Sequence, residues 1–134
     1  MNKRALTFIE LIVVIIIIGI LVALSLPQFG KTKEHAIGKE AIVNLKLIAA
    51  AEKIYRMEAN AYYPIVAPNP QSDIGQINNF LRLSITEANW DYAVTGAAST
   101  FSSTAKRQSG DYSSCQYSIN QSQDDPVVAG GTCP

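Results

Sequence analysis

An apolar run near the N-terminus, Leu11–Leu26, contains nothing more polar than one glycine and one serine. The 21 residues from Leu6 to Leu26 reach about 30 Å as a helix, which is the thickness of a bilayer's hydrocarbon core. Lys3 and Arg4 precede the run, and basic residues favour the cytoplasmic end of a membrane span. The sequence therefore predicts a single membrane-spanning helix, with the residues after Pro27 outside the cytoplasm.

Two other interpretations of the run stay open. A secretory signal peptide also has a basic start and an apolar middle, and Ala23-Leu24-Ser25 offers small residues where such a signal is cut. Against it, the apolar region is long for a signal peptide, and Glu10 interrupts its entry. A generic single-pass anchor would instead extend the Glu10 carboxylate towards the cytoplasmic face. Neither interpretation gives the acid a specific role.

The residues around the acid follow an ordered pattern of basic leader, small residue, threonine, acid, apolar run, internal glycine and later proline. The pattern residues are Ala5, Leu6, Thr7, Glu10, Gly19 and Pro27. This order resembles the N-terminus of type IV pilins and the related pseudopilins, closely over about the first 30 residues and loosely over about the next 25.

The resemblance implies that the N-terminus is processed. A prepilin peptidase would cut between Ala5, where the family usually has glycine, and Leu6, where it usually has phenylalanine. It would also methylate the new amine of Leu6. Loss of Lys3 and Arg4 lowers the 11 basic residues to 9 against 11 acidic ones, for a formal charge of −2. The apolar run would stay in the mature protein.

The resemblance also gives Glu10 a role in assembly. A carboxylate in a water-poor setting gains by pairing with a cation, and an unpaired charge there is penalised. The partner implied is the Leu6 amine of a neighbouring copy, so that Glu10, with Thr7 beside the cut, sets the register between subunits. Gly19 and Pro27 weaken the helix, and assembled family members partly unwind between these positions.

The function implied is that of a structural subunit that inserts in the bacterial inner membrane as a single-pass precursor, with its head outside the cytoplasm. It would polymerise into a helical filament, an extracellular pilus, with copies of itself and related pilins. Prepilin peptidase, an inner-membrane assembly platform and membrane lipid are the other partners implied. The first alternative is a pseudopilin in the periplasmic pseudopilus of a type II secretion system. The second is a monomeric single-pass protein that presents a small binding head.

The chain divides into four expected parts: a leader at residues 1–5, the membrane or filament-core helix at 6–27, an amphipathic helix at 28–59 and a head at 60–134. In the amphipathic part, apolar residues recur at helical spacing and should pack on a sheet. They are Ile37, Ala41, Leu45, Ile48, Ala51 and Tyr55. Charged residues, Glu52 among them, are expected on the other faces.

The head begins with prolines that exclude a regular helix, at positions 64, 68 and 70. A short helix capped by Ser72 or Asp73 should follow. Residues 89–94, 100–106 and 114–120 alternate as strands do, with Gly96 and Gly110 expected in the connections. We expect an α+β fold, in which the long N-terminal α-helix packs on a small antiparallel β-meander of about three strands.

The two cysteines, Cys115 and Cys133, lie late in the chain. If the head lies outside the cytoplasm, they should form a disulfide that closes the last loop; in a reducing compartment they would stay free thiols. The loop resembles the disulfide-bounded C-terminal region of pilins. Within it, Asp124 and Asp125 are a weak calcium candidate, because adjacent carboxylates lack the alternating spacing of strong sites.

The sequence offers little for catalysis or nucleic-acid contact. The 11 basic residues balance 11 acidic ones without a basic cluster, so we expect no contact with nucleic acid. His35 is the only histidine, and no nucleophile pattern or phosphate-binding glycine loop is present. We therefore expect neither an enzyme nor a cofactor.

Overall fold

The structure is a computed structural model, and it describes residues 7–66 and 69–134. The expected cut between Ala5 and Leu6 lies outside the described residues, as does Pro68. The elements are α1 (Phe8–Ala59), α2 (Ile74–Leu81), β1 (Trp90–Gly96), β2 (Phe101–Arg107), β3 (Gln116–Asn120) and β4 (Val127–Gly130). The chain forms two compact units, Met1–His35 and Ala36–Pro134, and α1 contributes to both.

The first unit contains the apolar part of α1. Of the helices in the described part of the chain, α1 is the one long and apolar enough to cross a membrane, judged by length and composition. The hydroxyl of Ser25 donates a 2.8 Å hydrogen bond to the carbonyl oxygen of Leu21, so this polar group is satisfied within the helix. In this single chain α1 remains helical through Gly19 and Pro27.

The second unit contains a four-stranded antiparallel sheet in the order β1-β2-β3-β4, so each strand pairs with its neighbour along the chain. The expected α+β fold is confirmed, but the expectation of about three strands was one short. The extra strand, β4, is short and mostly exposed, and it pairs with β3 across an irregularity in register at Gln116 and Tyr117. Backbone pairing forms this strand without a buried apolar face.

The core forms where the inner face of the sheet meets one face of α1. Trp90, Tyr92 and Val94 are buried on β1, as their alternation predicts. Two polar contacts fix the sheet to the helix: the Trp90 indole donates a 2.9 Å hydrogen bond to the Ile37 carbonyl, and the Asn44 amide donates a 2.8 Å one to the Tyr92 hydroxyl. Burial raises the pKa of the Tyr92 phenol to about 12.

Gly96 was expected in a connection, but it is the last residue of β1. Its position brings two backbone segments close together, because a Cβ added there would lie 2.2 Å from the carbonyl oxygen of Tyr63. A larger residue would push the segment after α1 away from the sheet.

The short helix α2 begins as expected. The side chain of Asp73 caps it by accepting a 3.1 Å hydrogen bond from the Gln76 backbone N–H. Ile77 and Leu81 face the core. The helix ends at Arg82, which has a left-handed backbone with φ 54°.

The disulfide between Cys115 and Cys133 is present, with the two Cα atoms 4.9 Å apart. Cys115 is buried beside the start of β3, and Cys133 follows β4. The bridge therefore ties the segment that contains β4 to the core.

Candidate assembly site

The first turn of α1 contains a reciprocal capping interaction between Thr7 and Glu10. The backbone N–H and the hydroxyl of Thr7 donate hydrogen bonds of 2.9 and 2.8 Å to Oε2 of Glu10. The Glu10 N–H in turn approaches the Thr7 hydroxyl oxygen at 3.4 Å. This is a capping box, which satisfies donors that a helix start otherwise leaves unpaired. Our sequence reasoning missed it, although threonine followed three residues later by glutamate is its signature.

The capping box uses one oxygen of the Glu10 carboxylate and leaves the other available. Both Thr7 donors use Oε2, and within the described part of the chain Oε1 receives no hydrogen bond. Glu10 can therefore keep its cap and accept a second donor from outside the chain. The structure places Thr7 and Glu10 together; the described residues do not include the amine of Leu6.

The apolar side chains of the first unit are uncovered. Nearly all the large ones between Phe8 and Leu24 are about half exposed or more, with Phe8 at 79% and Leu24 at 68%. A contiguous apolar surface of this size does not persist in water, because each Leu, Ile or Val gains roughly 1.5–3 kcal/mol on burial. It requires lipid or other helices around it.

A second apolar strip continues on α1 in the second unit. We call it the outer stripe; its members are Val43, Leu47, Ile54 and Met57, each between 48% and 76% exposed. Their steps of four, seven and three residues place them on one face of the helix. Leu45 and Ile48, which are fully buried, face the sheet on the opposite side. From Val43 onward α1 thus has apolar residues on two faces, and only one is covered.

Gly19 and Pro27 lie within the apolar part of α1. A Cβ built at Gly19 meets no atom within 4 Å among the described residues, so packing inside this chain does not require a glycine there. The weakening role of both residues stays a prediction.

Glu52 was expected on a polar face, and that expectation was wrong: its side chain is fully buried. Oε2 accepts a 2.9 Å hydrogen bond from the Tyr63 backbone N–H, while Oε1 has no partner among the residues described. Burial raises the pKa of this carboxyl to about 8, and the bond from Tyr63 offsets part of the rise. The sequence contained a signal for this burial, since Glu52 lies at helical spacing from Leu45 and Ile48 and continues the buried face of α1.

One of the two residues of the weak calcium candidate, Asp125, is engaged elsewhere. It forms an ion pair with Lys46 of α1, and both side chains are largely exposed. In the part of the chain that the structure describes, no three His, Cys, Asp or Glu side chains cluster closely enough to hold a metal ion. His35 is exposed.

No family model matches the chain. It is 39% identical over 61 residues to the type IV major pilin protein PilA of Myxococcus xanthus (strain DK1622). The match covers 46% of this chain and 28% of that protein, so the chain spans less than a third of the length of the curated relative. Together with the apolar α1 and the α+β head, this similarity supports a pilin-like structural subunit.

Proposed function

We propose that this chain is the structural subunit of a type IV pilus-like filament and polymerises through its hydrophobic N-terminal helix. The observation that carries the proposal is the uncovered apolar surface of α1, from Phe8 to Leu24, with the outer stripe beyond it. Neighbouring helices in a bundle would cover this surface. Its burial would supply most of the cohesion of the filament.

Processing would create the partner for Glu10. Cleavage after Ala5 exposes the amine of Leu6, which a prepilin peptidase then methylates. In a bundle, the amine of one copy pairs with the free Oε1 of Glu10 on the next, and the pair forms only at the correct axial offset. Glu10 thereby sets the register, while the apolar surface supplies the attraction.

The same proposal places the precursor in the bacterial inner membrane, where an assembly platform transfers it into the filament. The disulfide between Cys115 and Cys133 supports a head outside the cytoplasm, because disulfides persist in oxidising compartments. A pseudopilin of a type II secretion system would have the same α1 surface. The disulfide favours the pilus, since major pseudopilins more often rely on calcium.

The test is to express the full chain with a pilus assembly system, shear the cells and collect fibres. We expect the protein in long fibres, starting at a methylated Leu6. Glu10→Leu should insert and be cleaved normally but yield few fibres, whereas the control Asp111→Asn, on an exposed turn of the head, should assemble normally.

Other outcomes would contradict the proposal. Short fibres confined to the periplasm and formed only on overexpression would indicate a pseudopilin. A monomer that stays bound to detergent would indicate a simple anchor. Normal fibre yield from Glu10→Leu would remove the register role of the acid.

A further inference from the structure

A cleft of about 690 Å³ lies in the second unit, beside α1 and α2. Its volume falls in the range of small-molecule sites. We call it the aromatic cleft; its lining includes Tyr55, Tyr63, Gln71, Asp73, Gln76 and Phe80.

The apolar side of the aromatic cleft consists of three rings together with Pro64, Ile65 and Val66. Tyr63 stacks on Phe80, with ring centroids 4.9 Å apart and planes 23° apart, and it meets Tyr55 edge-to-face at 5.8 Å. Tyr63 is only 5% exposed, whereas Phe80 is 47% exposed. The buried ring therefore holds Phe80 in place, and Phe80 presents an apolar surface to the cleft.

The polar side is fixed by hydrogen bonds. Gln71 exchanges two backbone hydrogen bonds of 2.8 Å with Val94, and its side-chain oxygen accepts a 2.9 Å bond from the Asp73 N–H. Oδ1 of Asp73 caps α2 through Gln76. Within the described residues, Oδ2 of Asp73 and the side-chain amide of Gln76 form no hydrogen bond. The cleft thus offers an Asp73 carboxylate whose position is set before any ligand arrives, beside an exposed Gln76 amide that is available to bond.

The charges of the aromatic cleft select against ionic ligands. Asp73 is its one ionisable carboxyl, and no Lys, Arg or His is among the described lining residues, so phosphates and carboxylates would be repelled. A cation cage needs ring faces that converge on one point. Tyr63 and Phe80 instead stack nearly parallel, so their uncovered faces point away from each other and do not converge. What remains is an apolar surface, with one uncovered face of Phe80, beside hydrogen-bonding groups, and this suits a neutral ring compound with several hydroxyl groups.

We propose that the aromatic cleft binds a neutral saccharide, whose C–H face lies on Phe80 and whose hydroxyl groups bond to Asp73 and Gln76. The proposal concerns the single chain and does not require filament formation, so either proposal can fail without the other.

The test uses the full chain in an uncharged polyoxyethylene detergent, because sugar-headed detergents would compete for the cleft. Saturation-transfer NMR with cellobiose, maltose and N-acetylglucosamine disaccharide should detect binding of at least one. Phe80→Ala and Gln76→Ala should each weaken this binding by about tenfold, as expected when a ring contact or a hydrogen bond is lost. Gln76 is exposed, so its replacement preserves the fold.

The matched control is Met57→Ala on the outer stripe, which should bind as the unaltered chain does. Three results would overturn the proposal: no binding by any of the three disaccharides, an equal loss in Met57→Ala, or preferential binding of tetramethylammonium that depends on Asp73. A fourth is self-association of the full chain that Phe80→Ala abolishes and saccharides leave unchanged, because the cleft would then receive a second copy.

Discussion

Glu52 of α1 accepts a 2.9 Å hydrogen bond from the backbone N–H of Tyr63, eleven residues further along the chain. The carboxyl is fully buried, and the contact joins the helix to the segment that follows it. A neutral carboxyl fits this site better than an ionised one, because burial disfavours the charged form. The contact therefore makes the stability of the head depend on pH.

Glu52→Gln should flatten that dependence. The folded-state pKa of Glu52 is about 8, above the ordinary 4.5, so the folded state retains a proton that the unfolded state releases. The free energy of unfolding should thus fall as pH rises from about 4.5 to about 8 and level off above. The variant should be more stable than the parent at pH 9, by at least about 1 kcal/mol, and closer to it at pH 5.

Urea unfolding of the full chain at both pH values measures this difference. Asp111→Asn, on an exposed turn of the head, is the control and should leave the slope unchanged. Parallel pH profiles for the parent and Glu52→Gln would rule out a neutral Glu52.

Thr7→Val should loosen the first turn of α1, because it removes the hydroxyl half of the capping box, whereas Thr7→Ser should preserve it. Loss of a cap costs about 1 kcal/mol, so the first-turn amides should exchange hydrogen roughly fivefold faster. The measurement is hydrogen exchange of the precursor in micelles. Equal exchange in the valine and serine variants would show that the box does not hold the turn.

Leu47→Glu should reduce fibre yield while leaving the head folded, since this outer-stripe side chain is 48% exposed in the single chain. A carboxylate there would have to be buried against a neighbouring helix, which is costly. The control is Ala98→Glu, which adds the same group to an exposed turn after β1. Fibre yield is measured by shearing, and thermal unfolding checks the head. Full yield from Leu47→Glu would place the outer stripe on the filament surface.

Cys133→Ser should make the segment after β3 easier to cleave. The bridge spans a sequence separation of 18 residues, and a loop of that length is worth about 3 kcal/mol on the chain-entropy estimate. Limited proteolysis followed by mass spectrometry locates the cuts. If cleavage is as slow as in the parent, pairing of β4 alone holds the segment.

Ala5→Gly should be processed at least as fast as the parent, because glycine is the usual last residue of the leader in the family that this N-terminus resembles. Processing is followed by the loss of the five-residue leader in a coupled assay with a prepilin peptidase. Slower processing would mean that the cut lies elsewhere.

The strongly periodic parts of the fold could be predicted from the sequence. Trp90, Tyr92 and Val94 alternate with polar residues, and they are the buried face of β1. β4 was missed because Val127 and Val128 are consecutive and both exposed, so no alternation marks them. Only their pairing with β3 makes them a strand, and pairing is not visible in a local window.

The assembly role of Glu10 stays a prediction, and the local contacts of this residue were not foreseen. The expected partner lay in another copy, so the nearby Thr7 was overlooked as a local partner. Glu52 was misplaced for a related reason. Its charge suggested a solvent-facing position, whereas its spacing places it on the buried face of α1 with Leu45 and Ile48. The raised pKa resolves this conflict, because the buried carboxyl can be neutral.

The sheet has a simple order in which every strand pairs with the strand made just before it. Short-range pairing of this kind keeps loop closure inexpensive, so each hairpin can form before the later residues of the head are in place. Trp90 and its neighbours on β1 can dock on α1 first, and the Cys133 thiol can reach Cys115 once β4 has paired with β3. Oxidation of the two thiols would then be the last step in folding of the head.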